Sequence, residues 1–426
     1  ADHRRPPISD APPLPTGLFS RAAEAALGAA GLWGLAVPEA YGGTGCSLQE
    51  LAAAITRIAA SVPTAAGLLA VHSSIGAVSA LTAFGTPEQQ SRHLPGLARG
   101  APLSIFGGTE PEAGCDLAAA AARIEAIDGR LTLSGTKMFI TGATYGRLVK
   151  VLATREGRAC VVLVQLPEAD TTGFRLLGYP LHPLKHAHNN ALEFDRFVID
   201  ERDVLEMPPP TLGGSPANAV KPDAMKIVWH GLNRGRVTLA AQAAGTLRIL
   251  LAQAADFATQ RQTWGVPIGS RELVQGRLGR LAASVLACES LAAWAAAAID
   301  AGQSGELEAI TAKVVASECV RAGAIDALGV HGGRAFLVGH PLGDSFHDHF
   351  AVTIYEGESD LLGLALFKGL AKHHPAITEA ARRSAAQWLA WRVGRLAAAA
   401  SPDGRTILDR TLRQHARDAR RLLGTV

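Results

Sequence analysis

A stretch of alternating and β-branched residues separates two regions of helical periodicity, and this order constrains the fold more than any other feature of the chain. Between Pro102 and Asp203, segments such as RLTLSGTKMFI and ACVVLVQL are divided by turns such as IDGR. Residues 18–100 and those from Lys226 onward instead repeat apolar residues at helical spacing. The pattern predicts an α+β multidomain fold, with an N-terminal helical domain, a central, mostly antiparallel β domain and a C-terminal helical bundle.

Changes in this pattern divide the chain into five segments. We predict an N-terminal helical domain over residues 1–101, a β domain over 102–205, a Pro- and Gly-rich insertion loop over 206–225, a C-terminal four-helix-bundle domain over 226–375 and a basic helical extension over 376–426. The long helices of the bundle are expected at about 236–261, 272–301, 307–328 and 359–372.

The predicted C-terminal extension is strongly basic, with 10 Arg against 4 acidic residues over 376–426. Such a helix could contact the phosphates of CoA or the acidic surface of an acyl carrier protein. The commoner alternative is a solvated amphipathic helix that packs on the chain itself or on a sister subunit. Both alternatives stay open.

Charge and cysteine content narrow the class of protein. The net charge of +3 is too small to draw the whole chain to nucleic acid or to an anionic membrane. Five widely spaced cysteines without a CxxC pair argue against a disulfide framework or a zinc cluster and fit a reducing compartment. No run of about 20 uncharged apolar residues is expected to span a membrane. We therefore expect a soluble cytoplasmic protein with no metal, nucleic-acid or membrane partner.

Two motifs with ligand-binding chemistry belong to the predicted β domain. In IFGGTEPEAGCD, residues 105–116, Gly114 allows close backbone approach and Thr109 supplies a hydroxyl donor, which suits an anion or a polar ring edge. In KMFITGA, residues 137–143, Thr141 is a rigid donor at a strand end. Taken singly, these segments are more often an ordinary turn and an edge strand.

Two further motifs belong to the predicted helical bundle. A long helix starts near Arg236 and ends with RQTWG, where the guanidinium of Arg261 suits a diphosphate. The segment ALGVHGGRAFLVGHPLGDSFHDHFAVTIYEGESD, residues 327–360, contains paired glycines and a YEG triplet around Glu356. An isolated Arg or Glu is usually a solvated surface charge. The ordered occurrence of all four motifs is what favours a functional interpretation.

Together the four motifs resemble those of the acyl-CoA dehydrogenase family over roughly residues 15–372. TEPEAGCD is similar to the TEPxAGSD signature of the family, KMFITGA to its K-x-W-I-T-N-G strand end, RQTWG to its R-x-x-F-G and YEG to its Y-E-G. The resemblance implies an FAD-dependent oxidoreductase that dehydrogenates an acyl thioester, carried by CoA or by an acyl carrier protein, to the enoyl thioester.

The resemblance also implies roles for individual residues. Glu356 is expected to remove the α-proton while the β-hydrogen leaves as hydride to flavin N5. Some family branches place the base beside Arg236 instead, and this chain has Gly235 there, which cannot act as a base. The expected substrate-binding residues are Arg236, Tyr355 and Gly357. The expected FAD-binding residues are Phe106, Thr109, Gly114, Cys115, Phe139, Thr141, Arg261, Trp264, Gly332 and Gly333.

Acidic neighbours of the expected base leave two possibilities open. If Glu358 and Asp360 lie close to Glu356, like-charge repulsion should raise the pKa of Glu356. If they point to solvent, as is commoner, they have no such effect.

The family resemblance further implies a homodimer or homotetramer, with an electron-transfer flavoprotein or oxygen as electron acceptor. The segment ALGVHGG also resembles that of family members from secondary metabolism. Two other functions remain as alternatives: a same-fold flavin monooxygenase, which generally lacks the base, and a flavin-free, degenerate scaffold protein. The scaffold alternative is motivated by departures from the family pattern at Cys115, Glu272, Gly329 and His347.

Overall fold

The computed structural model describes residues 18–144, 146–205 and 224–373, and within them the predicted order of helices, sheet and helices is confirmed. Residues 206–223 of the predicted insertion loop and the whole predicted extension, 376–426, lie outside the described residues. The N-terminal helices are α1 (Arg21–Ala29), α2 (Leu48–Ala59), α3 (Pro63–Ala70), α4 (Ala77–Phe84) and α5 (Pro87–Ala98).

Capping boxes set the start of two of these helices. The Ser47 hydroxyl accepts a hydrogen bond from the backbone of Glu50, whose side chain bonds back to Ser47, and Thr86 and Gln89 do the same for α5.

The central sheet has eight strands, and most of its pairs are antiparallel, as predicted. They are β1 (Ser104–Gly107), β2 (Arg123–Ile127), β3 (Arg130–Thr141), β4 (Leu148–Arg155), β5 (Arg158–Gln165), β6 (Phe174–Gly178), β7 (Asn189–Val198) and β8 (Val204–Leu205). Their order is β6-β7-β3-β2-β4-β5-β8, and β1 also pairs with β4. The parallel pairs are β1 with β4 and β2 with β4.

A bulge in β3 turns one aromatic side chain out of the sheet. The register of β3 with β7 shifts between Lys137 and Ile140, and Phe139 has a left-handed φ of 56°. As a result Phe139 is 53% exposed, while Met138 and Ile140 on either side are buried. The bulge therefore presents an aromatic face at the surface of the β domain.

The C-terminal part contains three long helices that pack on one another, and the first two of them also pack on α2. The helices are α6 (Met225–Gln260), α7 (Glu272–Asp300), α8 (Glu306–His331), α9 (Pro341–Asp344), α10 (Asp348–Ala351) and α11 (Ser359–His373), and a short hairpin of β9 (Gln262–Thr263) and β10 (Val266–Pro267) follows α6. Helix α6 begins well before the predicted start at Arg236, because buried Ile227, Val228 and Leu232 extend its apolar face.

The described residues fall into two units, one that ends at Leu362 and one that begins at Gly363. The division into five segments that we drew from the sequence stays a prediction.

The expectation that no long uncharged apolar run exists was wrong. Within the described residues, two stretches are long and apolar enough to cross a membrane by length and composition: Pro63–Phe84 and Glu272–Asp300. In the first stretch, 72% of the most apolar 18-residue segment is buried in the structure, which is typical of a core helix. A π-helical turn at Val71–Ile75 also interrupts it. Two such stretches are weak evidence for a membrane span.

Candidate active site

Glu356 lies in the loop between α10 and α11. Lys313 of α8 binds the backbone of this loop. The buried Nζ of Lys313 donates hydrogen bonds to the carbonyl oxygens of Thr353, at 3.1 Å, and Gly357, at 2.6 Å. The backbone of Glu356 has a left-handed φ of 57°, which is uncommon for a residue with a side chain and is typical of constrained functional positions. Lys313 therefore fixes the backbone on both sides of the expected base.

The side chain of Glu356 rests on α6, next to Gly235 and Arg236. A Cβ atom built on Gly235 would lie 2.6 Å from Oε2 of Glu356, so this carboxylate fits only because residue 235 has no side chain. The buried Arg236 donates from Nε to the carbonyl oxygen of Glu356, at 3.3 Å, and from Nη1 to Oδ1 of Asn233, at 3.0 Å. The structure thus brings together Glu356 and Arg236, two of the residues predicted to act at the acyl thioester.

The environment of Glu356 suits a proton acceptor near neutral pH. Its Oε2 is shut off from solvent and has no hydrogen-bond partner among the described residues. Burial raises the pKa of Glu356 to about 7, against the opposing attraction of Arg236 and Lys313. Burial likewise lowers the pKa of Lys313 to about 8, against the attraction of Glu356. The carboxylate is therefore poised between its two protonation states near neutrality.

Glu358 has a separate, structural role. Its Oε1 accepts from the backbone N–H of Asp360, at 3.1 Å, and its Oε2 accepts from that of Leu361, at 2.9 Å, so it caps the start of α11. These bonds lower the pKa of Glu358. Burial, and not the acidic neighbours, raises the pKa of Glu356. The structure therefore favours the second of the two possibilities that the sequence left open.

Tyr355 is half-buried directly before the base. Burial, followed by the nearby charges of Glu356 and Asp348, raises the pKa of Tyr355, so its hydroxyl stays protonated. Gly357 follows the base and contributes its carbonyl oxygen to the ammonium of Lys313.

A chain of hydrogen bonds orients Thr141 beside the exposed face of Phe139. The backbone N–H of Phe139 donates to the hydroxyl of Tyr179 at 2.6 Å, and that hydroxyl donates to Oδ1 of Asn189 at 3.2 Å. The amide of Asn189 then donates to Oγ1 of Thr141 at 3.0 Å. Because this oxygen accepts from Asn189, the hydroxyl proton of Thr141 is left to donate to a ligand.

A buried ion pair folds the TEPEAG turn against β3. Nζ of Lys137 lies 2.6 Å from Oε1 of Glu110. Oε1 also accepts from the backbone N–H of Ala122, and Oε2 accepts from that of Ala121. The N–H of Met138 donates to the carbonyl oxygen of Thr109 at 2.9 Å. The predicted Thr109 is thereby held beside the bulge of Phe139.

Three other predicted cofactor residues of the β domain, Phe106, Gly114 and Cys115, do not belong to the hydrogen-bonded chain around Thr141. Gly114 and Cys115 lie exposed in the TEPEAG turn, and Phe106 is half-buried on β1, with its ring 4.9 Å from Nζ of Lys150. Among the described residues, no hydrogen bond or ring contact joins Phe106 to Thr141, Asn189 or Tyr179.

The remaining predicted cofactor residues form a second, exposed surface. Arg261 directly follows α6, and Gly332 and Gly333 directly follow α8; the ends of the two helices meet where the rings of His331 and Phe257 stack at 4.7 Å. Trp264 is 88% exposed, with the guanidinium of Arg271 over its ring at 4.8 Å. Within the part of the chain that the structure describes, no hydrogen bond, ion pair or ring contact joins this surface to Phe139 or Thr141.

Arg277 lies against Gly329, one of the departures from the family pattern. Its guanidinium fills the space that a side chain at Gly329 would occupy. A basic group therefore stands at a position where the family frequently has Gln.

Three positioning residues were missed by the sequence interpretation: Lys313, Tyr179 and Asn189. A lysine on the buried side of an otherwise apolar helix was a readable signal for Lys313, since such a charge needs partners. Tyr179 and Asn189 carried no comparable signal. Among the described residues, no group of three or more His, Cys, Asp or Glu side chains is placed to hold a metal ion.

The arrangement fits a flavin. An exposed aromatic face and an outward-directed hydroxyl suit a polar, planar ring at Phe139 and Thr141, and the exposed surface around Arg261 and the paired glycines suits a diphosphate.

Comparison with known proteins agrees with this assignment. The family model of the acyl-CoA dehydrogenase N-terminal domain matches residues 14–101, and that of the C-terminal domain matches residues 225–371. An acyl-CoA dehydrogenase from Bacillus subtilis is 30% identical over 354 residues, covering 81% of this chain and 88% of the relative.

Solved structures also share the fold. Butyryl-CoA dehydrogenase from Megasphaera elsdenii superposes with a TM-score of 0.73 and 25% identity, covering 83% of this chain and 91% of that one. The prolyl acyl carrier protein oxidase AnaB superposes with a TM-score of 0.74 and 23% identity, with the same coverage.

The fold and the site thus define an FAD-dependent oxidoreductase. The chain belongs to the acyl-CoA dehydrogenase family. The predicted family, fold class, enzyme class and FAD cofactor are confirmed, whereas the roles of the individual site residues stay predictions.

Proposed function

We propose that the chain catalyses the α,β-dehydrogenation of an acyl thioester to the enoyl thioester, with Glu356 as the base. One observation carries this proposal: a carboxylate oxygen without a partner among the described residues, shut off from solvent, on a loop that Lys313 and Arg236 hold in place. A same-fold flavin monooxygenase would not need this base, so the geometry favours dehydrogenation.

The proposed reaction removes one proton and one hydride from adjacent carbons. Oε2 of Glu356 takes the α-proton, and the electron pair of the broken C–H bond becomes the new double bond. The chemistry that bound FAD would supply is that of a hydride acceptor for the β-hydrogen and its bonding electrons. Glu356 keeps the proton until product leaves, and Arg236 and Lys313 favour its return to the ionised form.

Residues of the β domain would hold the cofactor in this reaction. Phe139 would offer its exposed ring as a packing surface, and the hydroxyl of Thr141, oriented by Asn189, would donate to the polar edge of the flavin. Thr109, Gly114, Cys115 and Phe106 are the further proposed contacts.

The exposed surface would bind the diphosphate end of a cofactor that a second copy of the chain mainly holds. Its residues are Arg261, Trp264, Gly332 and Gly333. The separation of this exposed surface from the Phe139 cluster supports a homodimer or homotetramer. Exposed apolar side chains beside it support the same proposal, notably Trp264, Phe336 and Val338.

The proposed acyl carrier is CoA or an acyl carrier protein. The Bacillus relative is an acyl-CoA dehydrogenase and the Megasphaera protein a butyryl-CoA dehydrogenase, whereas AnaB is a prolyl acyl carrier protein oxidase. The proposed electron acceptor is an electron-transfer flavoprotein or oxygen. None of the five cysteines forms a disulfide in the described part of the chain, which supports a cytoplasmic location.

The test is the visible spectrum of the purified protein reconstituted with FAD, before and after anaerobic addition of acyl thioesters. We expect a flavin spectrum that at least one thioester bleaches. In Glu356→Gln the flavin should remain bound while bleaching slows by about two to four orders of magnitude. Glu358→Gln is the matched control, because it removes a carboxylate two residues away and should bleach at the parent rate. Equal rates in the parent and Glu356→Gln would refute the assignment of the base.

A further inference from the structure

The segment between β6 and β7 lies next to the expected flavin contacts at both of its ends. We call residues 179–188 the bridging loop. Tyr179, its first residue, accepts a hydrogen bond from the backbone of Phe139, and Asn189, the residue after it, donates to Thr141. The position of the bridging loop therefore affects both proposed contacts to the flavin ring.

The middle of the bridging loop packs on the start of α10, the helix that precedes Glu356. Oδ1 of the half-buried Asp348 accepts a hydrogen bond from the backbone N–H of Leu184. A carboxylate is a stronger acceptor than a neutral oxygen. Next to this bond, the rings of His182 and His347 stack, with centroids 4.7 Å apart and planes inclined by 23°. Two adjacent residues of the helical bundle thus hold a loop of the β domain.

Backbone hydrogen bonds connect α10 to the residue before the expected base. The carbonyl oxygen of Ala351 accepts from the N–H groups of Ile354 and Tyr355, at 2.9 and 3.2 Å. The charge of Asp348 adds, after burial and the charge of Glu356, to the raised pKa of Tyr355. Asp348 therefore lies close to the segment that carries the base, about two helical turns before it in the chain.

Three residues along this path have a left-handed backbone. They are Phe139, with a φ of 56°, and Leu184 and Glu356, each with a φ of 57°. Such values are unfavourable for residues with a side chain and persist where the surrounding structure enforces them, often at functional sites. In this chain they occur at the expected flavin contact, at the point where the bridging loop meets α10 and at the expected base.

The proposed reaction needs a fixed distance between these two ends of the path. It breaks two C–H bonds on adjacent carbons, so the proton acceptor and the hydride acceptor must both lie within reach of one substrate. Thr141 belongs to the β domain, whereas Glu356 belongs to the helical bundle. A misplacement of about 1 Å can slow a reaction about a hundredfold, so a contact that links the two parts matters for the rate.

We propose that Asp348 is a positioning residue that acts through the bridging loop and sets the distance between Glu356 and the flavin edge beside Thr141. This inference rests on the proposed function, because it assigns the proton to Glu356 and the hydride to the flavin. Asp348 is not proposed to contact the substrate. Its loss should therefore lower kcat and leave the KM for the thioester nearly unchanged.

The experiment compares the parent with Asp348→Ala and Asp348→Asn, each at saturating FAD, with a thioester that bleaches the parent. Anaerobic bleaching is followed over a range of thioester concentrations, and the flavin absorbance band is recorded beforehand. Asp348→Ala removes the acceptor and should lower kcat at least about tenfold, change KM less than about twofold and shift the flavin band. Asp348→Asn keeps an oxygen that can accept from Leu184 and should recover most of the parent kcat and the parent spectrum.

Asp300→Ala is the matched control for general effects on the fold. Asp300 also joins two elements by accepting from backbone N–H groups, those of Leu48 and Gln49, at 3.0 Å each. These bonds connect the end of α7 to the start of α2 and do not involve the bridging loop. The variant should keep the parent kcat and flavin spectrum.

A double variant tests whether Asp348 acts through the bridging loop. Asn189→Leu interrupts the same path at its other end, beside Thr141. Adding Asp348→Ala to Asn189→Leu should therefore slow bleaching much less than Asp348→Ala slows the parent, because changes on one path are not additive. Slowing by the full product of the two single effects would show that Asp348 acts by another route and would overturn the inference.

His182→Ala keeps the inference testable if Asp348→Ala does not fold. It removes the ring stack from its exposed side and leaves Asp348 in place, so we expect the same change in kcat, smaller in size. Parent-like bleaching in His182→Ala would then count against the role of the bridging loop.

Further results separate this inference from the proposed function. If the parent bleaches with a thioester and Asp348→Ala matches its kcat and spectrum, only this inference fails. It also fails if Asp348→Asn is as slow as Asp348→Ala. If no CoA or carrier-protein thioester bleaches the parent, the proposed function fails, and the inference fails with it.

Discussion

The carboxylate of Glu356 occupies the space next to Gly235 in which a side chain on α6 would begin. A Cβ atom on residue 235 would lie 2.6 Å from Oε2 and 3.1 Å from Cδ of Glu356. A base on the loop and a side chain on the helix would therefore compete for one position. The glycine is a condition for placing the base at residue 356.

Gly235→Ala should displace the carboxylate of Glu356 and slow flavin bleaching at least tenfold. The added methyl group cannot be accommodated without moving Oε2, and small displacements of a catalytic group reduce rates strongly. Gly279→Ala on α7 is the control, because no atom lies within 4 Å of its Cβ position. The measurement is the anaerobic bleaching rate at saturating substrate with FAD content determined in parallel. Parent-like bleaching in Gly235→Ala would contradict the close packing of these two residues.

The pH dependence of kcat/KM should show an acid limb near pH 7. Only the ionised form of Glu356 accepts a proton, and burial raises its pKa to about 7, so the rate should rise with pH through 7 and level off above it. Arg236 lowers this pKa, so Arg236→Gln should move the limb to higher pH, whereas Arg236→Lys keeps the charge and should move it less. A limb that stays near pH 4.5, or the same limb in all three enzymes, would be inconsistent with Glu356 as the titrating base.

The ion pair of Lys137 and Glu110 should contribute strongly to folding stability. Lys137→Met leaves a buried carboxylate without its charged partner and should lower the free energy of unfolding by about 3–5 kcal/mol. Arg175→Met breaks a much more exposed pair with Glu193 and should cost less than about 1 kcal/mol. Urea unfolding of the three proteins measures the difference. Similar midpoints for both variants would show that the buried pair is not structurally important.

Asn189→Leu should weaken the hold of the β domain on FAD without unfolding the protein. The substitution removes the amide that bonds to Oγ1 of Thr141 and the carbonyl oxygen that accepts from Tyr179. Thr141 would then lose its fixed orientation, so we expect a shifted flavin absorbance band and a higher Kd for FAD. Gln165→Leu is the control, because Gln165 is an exposed amide on β5 that bonds to the carbonyl oxygen of Gly146. An unaltered flavin spectrum and Kd in Asn189→Leu would contradict the positioning role.

The sequence was sufficient to predict the order of helices and strands and the residues that carry local motifs. Periodicity reports which face of an element is buried, and Glu356 and Thr141 belong to short motifs that are read without knowledge of the fold. Lys313, Tyr179 and Asn189 were not predicted because their partners are distant in the sequence. Lys313, for example, bonds to carbonyl oxygens some 40 residues away.

Packing decided two other features that sequence patterns left undetermined. The contact between Glu356 and Gly235 follows from how a loop settles on a helix, which no local motif encodes. The uncharged run over Pro63–Phe84 was overlooked because His, Ser and Gly interrupt its apolar character. Its burial depends on tertiary contacts.

The central claim is that Glu356 removes the α-proton of an acyl thioester, and a deuterium isotope effect tests it most directly. Anaerobic flavin bleaching would be followed by stopped flow with a thioester that the enzyme accepts, unlabelled and deuterated at the α-carbon, in the parent enzyme, in Glu356→Asp and in Glu356→Gln. We predict slower bleaching of the deuterated thioester in the parent and at least as large an isotope effect in the slowed Glu356→Asp. In Glu356→Gln, bleaching should be slower than in the parent by about two to four orders of magnitude. Rapid bleaching of both thioesters by Glu356→Gln, with the parent isotope effect, would show that another group takes the proton.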